Sequence, residues 1–343
     1  MGNFRYDVST SYNFSYKNHA ISILDALGLP YLIPFDSDCF VYSCQKLIYT
    51  NADFVVDIEH GNPFMGSTNV FKHKNAGFRY LVKKIISRDN CKYILPWTEK
   101  AKGAFYENFK FLGKDLLDSK TRVIYPCVSP SNIGLKKFDK FTFLFTGGAS
   151  FYVKGGYQVL EAFKTIMDTK LFDCELIVVG DIPERVWNNY KDVKGITVIS
   201  RLAREVMLQT ISRSHCVLLP SYADTYGMFL IEAKTFGVPA IVVDCFAASE
   251  VVTDEKTGFV IPPDKGINMW FDHHGCKLMS KDVFRSQFDN YIPSDLHVSD
   301  LVYAMNQIYN SNLRRMGDTC IKETTDGWCS IKERDKRFEE VYQ

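Results

Sequence analysis

The second half of the chain alternates short apolar runs with longer helical patterns, and this alternation restricts the fold more than any other feature. The predicted strands cover residues 141–146, 176–180, 196–200, 216–220 and 240–243, and the predicted helices cover 155–168, 203–213, 229–236 and a short turn at 249–253. Most of these strands are apolar throughout, which is typical of a parallel sheet that helices cover on both faces. The pattern therefore predicts an α/β fold built on a parallel sheet with crossover helices.

The first half is less regular and predicts a smaller α/β unit. Its candidate elements are a helix over 17–27 and strands over 30–34, 53–58, 92–95 and 122–125. A proline-rich, turn-prone stretch from Pro126 to Gly134 follows, and such a composition is typical of a linker. We therefore predict one domain over 1–130, a second over 131–320, and a helical tail over 321–343 that packs back toward the first domain.

The charge balance argues against a protein dedicated to nucleic acid. Forty-one Lys and Arg residues oppose forty Asp and Glu residues, and the net charge is +1, so no strong positive field covers the molecule. No apolar run reaches the roughly 20 residues that cross a bilayer. The start of the chain lacks the basic and apolar regions of a secretory signal, so the protein is expected to be cytoplasmic.

Metal sites are not expected from the sequence either. The ten cysteines are scattered, and neither they nor the pair His273 and His274 have the spacing of a zinc site. The stretch from Asp36 to Asp38 has the form of a metal-binding D-x-D motif, but a turn is the simpler interpretation because no other block of such a site surrounds it.

The most informative segment runs from Leu218 to Val243. A loop follows the strand end at Pro220, and a helix is predicted to begin near Gly227, so that Asp224 precedes the helix N-terminus and Glu232 follows it. The free backbone N–H groups and the dipole of a helix N-terminus suit a diphosphate, while the two carboxylates suit the hydroxyl groups of a sugar and a ribose. The alternative is that Asp224 only caps the helix and Glu232 is a solvated helix residue. The segment predicts a site for a nucleotide sugar, with that alternative open.

A second segment, from Leu144 to Phe163, contains a strand, a glycine turn and a helix. Lys154 precedes Gly155 and Gly156 at the predicted helix start, where an ammonium group suits the neutralisation of a leaving diphosphate. The alternative is a solvated lysine beside a turn. Neither G-x-G-x-x-G nor G-x-x-x-x-G-K-[ST] occurs, which disfavours a dehydrogenase or a P-loop protein.

These two segments, together with Glu175 to Asp181 and Ala247 to Pro262, resemble the family-4 retaining glycosyltransferases of the GT-B fold in their order and spacing. The resemblance implies two facing Rossmann-like domains with parallel sheets, the N-terminal one reduced. It implies transfer of a hexose-type sugar, with retention, from a nucleoside-diphosphate sugar to a glycan or lipid-linked acceptor, without a metal or other cofactor. The donor-binding residues that it implies are Gly147, Gly148, Lys154, Arg201, Asp224, Thr225, Tyr226, Gly227, Met228 and Glu232.

The chain departs from the family pattern at two positions. The family's two glutamates, separated by seven residues, fall on Asp224 and Glu232, so the first carboxylate is one methylene shorter. The arginine that the family has five positions before the lysine is replaced by Ala149, and Arg201 and Arg204 are the candidate substitutes.

The first half carries a thinner resemblance. Val55 to Gly61 is similar to the strand whose end carries the family's active-site histidine, which points to His60. A neutral or charged imidazole at a strand end suits a hydrogen bond to a sugar hydroxyl or the stabilisation of developing charge. The implied catalytic residues are therefore His60, Asp224 and Lys154, the alternative for the histidine being a structural role.

Lys72 to Arg88 contains six basic residues, no acidic residue, and interleaved apolar ones. As a helix, this segment suits an anionic membrane surface or a lipid-linked acceptor, which extends the expected location to the cytoplasmic face of a membrane. The alternative is a helix with a solvated basic face and an apolar inner face.

Two other functions remain open from the sequence. The first is a non-catalytic protein of the same fold that binds a nucleotide sugar or a glycan, and the substitutions at Ala149 and Asp224 favour it. The second is a sugar-nucleotide epimerase or a phosphorylase on a GT-B-like frame. That function needs a carboxylate acid/base pair or a lysine-bound cofactor, for which the sequence has no clear signal.

Overall fold

The computed structural model describes residues 30–32, 40–62, 64, 72–130, 136–148 and 150–342. The helix predicted over 17–27, the turn predicted at Asp36 to Asp38, and Ala149 lie outside these residues. The described chain forms two α/β units, each with a parallel sheet, in agreement with the predicted fold class.

The first unit is small. Its described strands are β1 (Tyr31–Leu32), β2 (Phe40–Cys44), β3 (Ile48–Tyr49), β4 (Asp53–Ile58) and β5 (Cys91–Pro96), and its helices are α1 (Ala76–Ile86), α2 (Glu99–Phe109) and α3 (Lys114–Lys120). Strands β2, β4 and β5 form a parallel sheet in that order, and β1 pairs with β3. Strand β4 is therefore the central strand, and His60 follows its carboxyl end.

Helix α1 lies on this sheet because its apolar residues recur at helical spacing. Phe78, Val82, Ile85 and Ile86 are buried in the core of the first unit, and this is the i, i+4, i+7, i+8 spacing of an amphipathic helix. The side chain of Asn75 accepts the backbone N–H of Phe78 and so caps the N-terminus.

The strand predicted over 122–125 is not formed. The N–H groups of Arg122 and Ile124 donate to the carbonyls of Ile94 and Pro96, each at 3.0 Å, but the pairing remains an isolated bridge. Pro96 has no N–H to donate to the segment. The next position of the segment that would donate to β5 in a continued ladder is Pro126, which also has no N–H. Two prolines therefore stop the ladder that the apolar pattern predicts.

The second unit contains a six-stranded sheet. Its strands are β6 (Phe141–Gly148), β7 (Cys174–Gly180), β8 (Ile196–Ile199), β9 (Cys216–Leu219), β10 (Ala240–Val243) and β11 (Gly258–Ile261). Its described helices are α4 (Gly156–Thr169), α5 (Glu184–Trp187), α6 (Arg204–Arg213), α7 (Met228–Thr235), α8 (Ala248–Val251), α9 (Lys281–Ser286), α10 (Asp295–Tyr309) and α11 (Leu313–Thr325).

The strand order of the second unit defines where a ligand is expected. The order is β11-β10-β9-β6-β7-β8, and all neighbours are parallel. The chain starts at β6, adds β7 and β8 on one side, and then crosses to β9, β10 and β11 on the other. In such a sheet, ligands bind beyond the carboxyl ends of the two strands where the direction switches. The loops after β6 and β9 are therefore the expected binding loops.

The end of the chain contacts the first unit. Helix α12 (Ile331–Tyr342) places Val341 beside Leu95 in a small buried cluster. The guanidinium group of Arg337 donates to the carbonyl of Val123 at 3.1 Å. Among the residues that the structure describes, no helix has both the length and the apolar character to cross a bilayer.

Candidate active site

Lys154 and Asp224 meet at the switch point of the second sheet. Lys154 lies in the loop after β6 and Asp224 in the loop after β9, and Nζ of the lysine is 2.5 Å from Oδ2 of the aspartate. The side chains are 28% and 21% exposed, respectively. A charge-assisted hydrogen bond between partly buried groups holds both side chains in place. The structure therefore brings together two of the three catalytic residues that the sequence predicts.

The backbones of the two loops are also in contact. The N–H of Tyr222 donates to the carbonyl of Val153 at 2.9 Å. Gly155 has φ +83°, and a Cβ atom at this position would lie 2.3 Å from the carbonyl oxygen of Pro220. Only glycine combines this conformation with this close approach. Gly155 thus holds the lysine loop against the end of β9.

Gly227 is the N-cap of α7 and has φ +76°, with no side-chain cap at this helix end. Asp224 therefore does not cap the helix, in contrast to the alternative drawn from the sequence. Met228 begins the helix and is 39% exposed. On the other binding loop, Gly147 and Gly148 end β6, and Gly148 has φ +48° with open space around its Cα.

Glu232 lies in the second turn of α7 and is only 7% exposed. Its Oε1 atom is 2.6 Å from Nη2 of Arg204, the first residue of α6. The alternative of a solvated glutamate therefore does not describe this residue. Of the two arginines considered as substitutes for the missing family arginine, both are exposed, and Arg204 pairs with a predicted site residue.

His60 is the second residue after the end of β4 and is half-buried. Its Nδ1 atom accepts the backbone N–H of Asn62 at 3.0 Å, and its Nε2 atom is 3.2 Å from Nζ of Lys277. Burial is the main cause that lowers the pKa of His60 to about 3, and Lys277 acts in the same direction when it is charged. The imidazole is therefore neutral at physiological pH, in the form that can accept a hydrogen bond at one nitrogen and donate at the other.

A hydrogen bond between Thr225 and Glu59 brings the predicted residues of the two units close to one another. The hydroxyl of Thr225 donates to the carboxylate of Glu59. Thr225 follows Asp224 in the chain, and Glu59 precedes His60. His60 and Asp224 therefore lie on opposite sides of one contact, each a single residue away from it. Tyr226 adds a second link, since its hydroxyl donates to the carbonyl of Pro126 at 2.6 Å.

A further contact between the units depends on Glu250 in α8. Its carboxylate accepts the backbone N–H groups of Glu99 and Lys100, at 2.9 and 2.6 Å, and the hydroxyl of Tyr125 at 3.0 Å. An acidic side chain at the N-terminus of α2 is favoured by the helix dipole. The carboxylate of Glu250, in the second unit, thus supplies the negative charge that the N-terminus of α2, in the first unit, attracts.

Sequence reasoning did not identify Glu59, Glu250 or Lys277. The partners named above lie 125 or more positions away in the chain, so no local pattern marks these three residues. No cluster of three or more His, Cys, Asp or Glu side chains suited to a metal ion occurs among the described ranges.

Comparisons with known proteins concern mainly the second unit. Residues 132–270 match the family model described as glycosyl transferases group 1. The alpha-D-kanosaminyltransferase of Streptomyces kanamyceticus is 27% identical over 96 residues, which are 26% of this chain and 25% of that protein. The chain thus matches about a quarter of that relative's length. The resemblance to glycosyltransferases seen in the sequence is confirmed by these matches.

Solved structures are similar over more of the chain. A glycosyltransferase from Rickettsia africae has a TM-score of 0.58 and 16% identity, with 85% of this chain and 70% of that chain covered. Anabaena Alr3699/HepE, in complex with UDP and glucose, has a TM-score of 0.57 and 13% identity, with 85% and 71% covered. At these identities the likeness concerns the fold, and it confirms the predicted pair of Rossmann-like domains.

Proposed function

We propose that this chain, whose residues 132–270 match the group 1 glycosyl transferases, is a retaining glycosyltransferase that uses a nucleoside-diphosphate sugar. The observation that carries the proposal is the pair of Lys154 and Asp224, 2.5 Å apart at the switch point of the second sheet. A cation and a carboxylate at this place suit the two parts of such a donor, the diphosphate and the sugar. The UDP and glucose in the Anabaena structure are consistent with this class of ligand.

Each side chain has a distinct task in this proposal. Lys154 and the N-terminus of α7 bind the diphosphate and stabilise the charge that develops on it as the sugar leaves. Asp224 and the neutral His60 hold the sugar ring through its hydroxyl groups. Glu232 accepts hydrogen bonds from the ribose, and the acceptor binds against the first unit.

The departing phosphate helps to deprotonate the acceptor, as the resemblance to the family implies, so no residue of the chain is assigned as a nucleophile. No metal ion or cofactor is assigned either. The residues act by orientation and by electrostatic stabilisation, and both depend on Lys154 exchanging its contact with Asp224 for one with the diphosphate. That the transferred sugar is a hexose, and that the acceptor is a glycan or a lipid-linked molecule, is also part of this proposal and rests on the resemblance to the family.

The direct test is a thermal-shift panel of UDP-, GDP- and ADP-sugars, followed by an assay of diphosphate release with the labelled sugar that binds. A ligand that binds only the folded state raises the melting temperature. For Glu232→Gln we expect donor binding about 10- to 100-fold weaker, since a hydrogen bond to a charged group contributes about 1.5–3 kcal/mol. Calorimetric titration measures this change.

Glu205→Gln is the matched control, because Glu205 is exposed on α6 beside Arg204. Unchanged donor binding in Glu232→Gln would remove Glu232 from the site. Donor binding without turnover on any acceptor would instead support the non-catalytic alternative drawn from the sequence.

We also propose that the basic face of α1 contributes to a contact with an anionic membrane surface. The apolar side chains of α1 are buried in the core, so the helix offers charge rather than an apolar face to a lipid surface. Lys83 and Lys84 are exposed, and Tyr80 between the basic positions is 69% exposed. This contact is therefore electrostatic in nature.

Lys83→Gln/Lys84→Gln is expected to weaken binding to phosphatidylserine-containing vesicles by about 30-fold, at about 1 kcal/mol per lysine near the surface. Co-sedimentation at low and high salt measures the effect. The pair Lys191→Gln/Lys194→Gln changes two exposed lysines of the second unit and is the control. Equal loss in both pairs, or no binding by the unmodified protein, would disprove the contact.

A further inference from the structure

Lys277 is a second lysine in the candidate active site, and it comes from a part of the chain that no sequence motif marks. It belongs to the segment of residues 262–294 between β11 and α10. Backbone groups hold this segment on the first unit, since the N–H of Lys277 donates to Oδ1 of Asn62 at 3.3 Å. The side chain then extends to His60, where Nζ lies 3.2 Å from Nε2, and over the ring of Trp270, whose centre is 4.8 Å away.

Counting protons shows that this arrangement favours an uncharged Lys277. A neutral imidazole has one N–H and one acceptor nitrogen. The backbone N–H of Asn62 donates to Nδ1 of His60, so the imidazole proton resides on Nε2. That N–H faces Nζ of Lys277, and an ammonium group has no lone pair to accept it. Only the neutral amine satisfies both contacts at once.

The groups around Lys277 make the neutral amine accessible, in about half of the molecules near pH 8. Burial lowers the pKa of Lys277 to about 8; Lys281 acts in the same direction, and Glu59 acts against both. Glu59 and His60 belong to the first unit, and Lys281 belongs to the same segment as Lys277. The carboxylate of Glu59 already accepts the hydroxyl of Thr225, so it is not available to Lys277 alone.

We propose that Lys277 is a donor-binding residue that takes up a proton when an anionic group of the donor enters the site. The inference rests on the proposed function, because it assigns the charge that the donor brings. In the binding step, Nζ gains one proton from solvent and the resulting ammonium donates to an anionic oxygen of the ligand. His60 keeps its proton on Nε2. Once Nζ of Lys277 binds the ligand, this N–H group no longer donates to Lys277 and can donate to a sugar hydroxyl instead. The proton count balances with water as the source.

Two groups of a nucleotide sugar can provide that oxygen, namely the diphosphate and the carboxylate of a uronic sugar. Both groups carry a negatively charged oxygen. They can be distinguished by which ligands cause proton uptake when they bind. A free nucleoside diphosphate carries only the diphosphate. Comparing a nucleotide sugar that has a neutral hexose with one that has a uronic hexose isolates the contribution of the carboxylate.

The test is calorimetric titration at pH 8 in buffers of different ionisation enthalpy, with UDP, GDP and ADP as probes, followed by the glucose and glucuronate derivatives of UDP. For the unmodified protein we expect an uptake of about half a proton per bound ligand, since a group with its pKa near the working pH is about half protonated before binding. Uptake with the free diphosphate assigns the phosphate as the partner of Lys277, whereas uptake only with the glucuronate derivative assigns the carboxylate.

Substitutions separate this linkage from a structural role. Lys277→Gln is expected to abolish proton uptake and to weaken binding at least tenfold, whereas Lys277→Arg, which is always charged, is expected to abolish uptake with a smaller loss of affinity. Lys265→Gln removes an exposed lysine of the same segment and is expected to keep the uptake. Thermal melting checks that each variant is folded.

Proton uptake that persists in Lys277→Gln, or binding of every probe without uptake in the unmodified protein, would overturn the inference and leave the proposed function intact. Failure of all the nucleoside diphosphates and nucleotide sugars to bind would overturn the proposed function together with the inference.

Discussion

Replacing Lys154 with methionine is expected to lower kcat/KM for sugar transfer by about 10²–10³-fold. The proposed site places the ammonium group of Lys154 where charge accumulates on the leaving diphosphate, and the loss of one such electrostatic contact costs about 3–4 kcal/mol of transition-state stabilisation. Methionine keeps much of the apolar stem and removes the charge. Steady-state kinetics with the donor that binds measure the loss, and calorimetry measures the smaller change expected for donor affinity.

Lys164→Met is the control for this substitution. Lys164 is a half-exposed lysine of α4 that pairs with Asp168 at 3.7 Å, and a surface pair of this kind contributes little. We expect its kcat/KM within about twofold of the unmodified protein. A Lys154→Met enzyme with activity close to that of Lys164→Met would contradict the role assigned to the lysine loop.

Asp224 is coupled to this effect because it is the partner of Lys154. Removal of the lysine leaves a partly buried carboxylate without its cation, so part of the loss in Lys154→Met reflects an unpaired Asp224. Asp224→Asn and the double variant separate the two contributions, and residues in direct contact are expected to give non-additive effects.

The central strands of the second unit were predictable because they are buried on both faces, whereas the edge strand β8 is partly exposed. A strand such as β9 or β10 is buried at every position, and it therefore appears in the sequence as an uninterrupted apolar run. Each of the five strands predicted in this unit begins and ends within two residues of the observed one.

The first unit was less predictable because its strands are less completely buried. Strand β2 lies at the edge of its sheet, and Phe40 and Tyr42 are 43% and 46% exposed. An edge strand with one open face lacks the continuous apolar run of a central strand. For this reason β2 was missed, while the central strand β4, almost wholly buried, was predicted with the observed bounds.

In the candidate site, some residues could be predicted from the local sequence, and others depend on contacts between distant parts of the chain. Lys154 and Asp224 were predictable because each lies in a loop that follows a recognisable strand. The partners that the structure adds, such as Arg204 for Glu232 and Lys277 for His60, depend on how the loops and the two units pack. No spacing rule along the sequence contains that information, since the two residues of the second pair are 217 positions apart.

Gly155→Ala is expected to lower the free energy of unfolding by about 2–5 kcal/mol and to abolish most of the transfer activity. A non-glycine residue in the left-handed conformation costs about 1–2 kcal/mol, and the new Cβ would lie 2.3 Å from the backbone oxygen of Pro220, which cannot move aside as a flexible side chain does. Relief of such a contact by backbone movement costs a further 1–3 kcal/mol or so. Urea denaturation measures the first change, and diphosphate release measures the second.

Gly148→Ala isolates the contribution of the contact with Pro220. Gly148 lies on the same loop with φ +48°, and a Cβ atom there meets nothing within 4 Å, so we expect a loss of only about 1–2 kcal/mol from the backbone conformation. Because Lys154 immediately precedes Gly155, the movement that relieves the contact in Gly155→Ala also displaces Nζ from Asp224. If the two variants had equal stabilities, the close approach of the lysine loop to β9 would not be what holds the site together. The pairing of Lys154 with Asp224 would then require another cause.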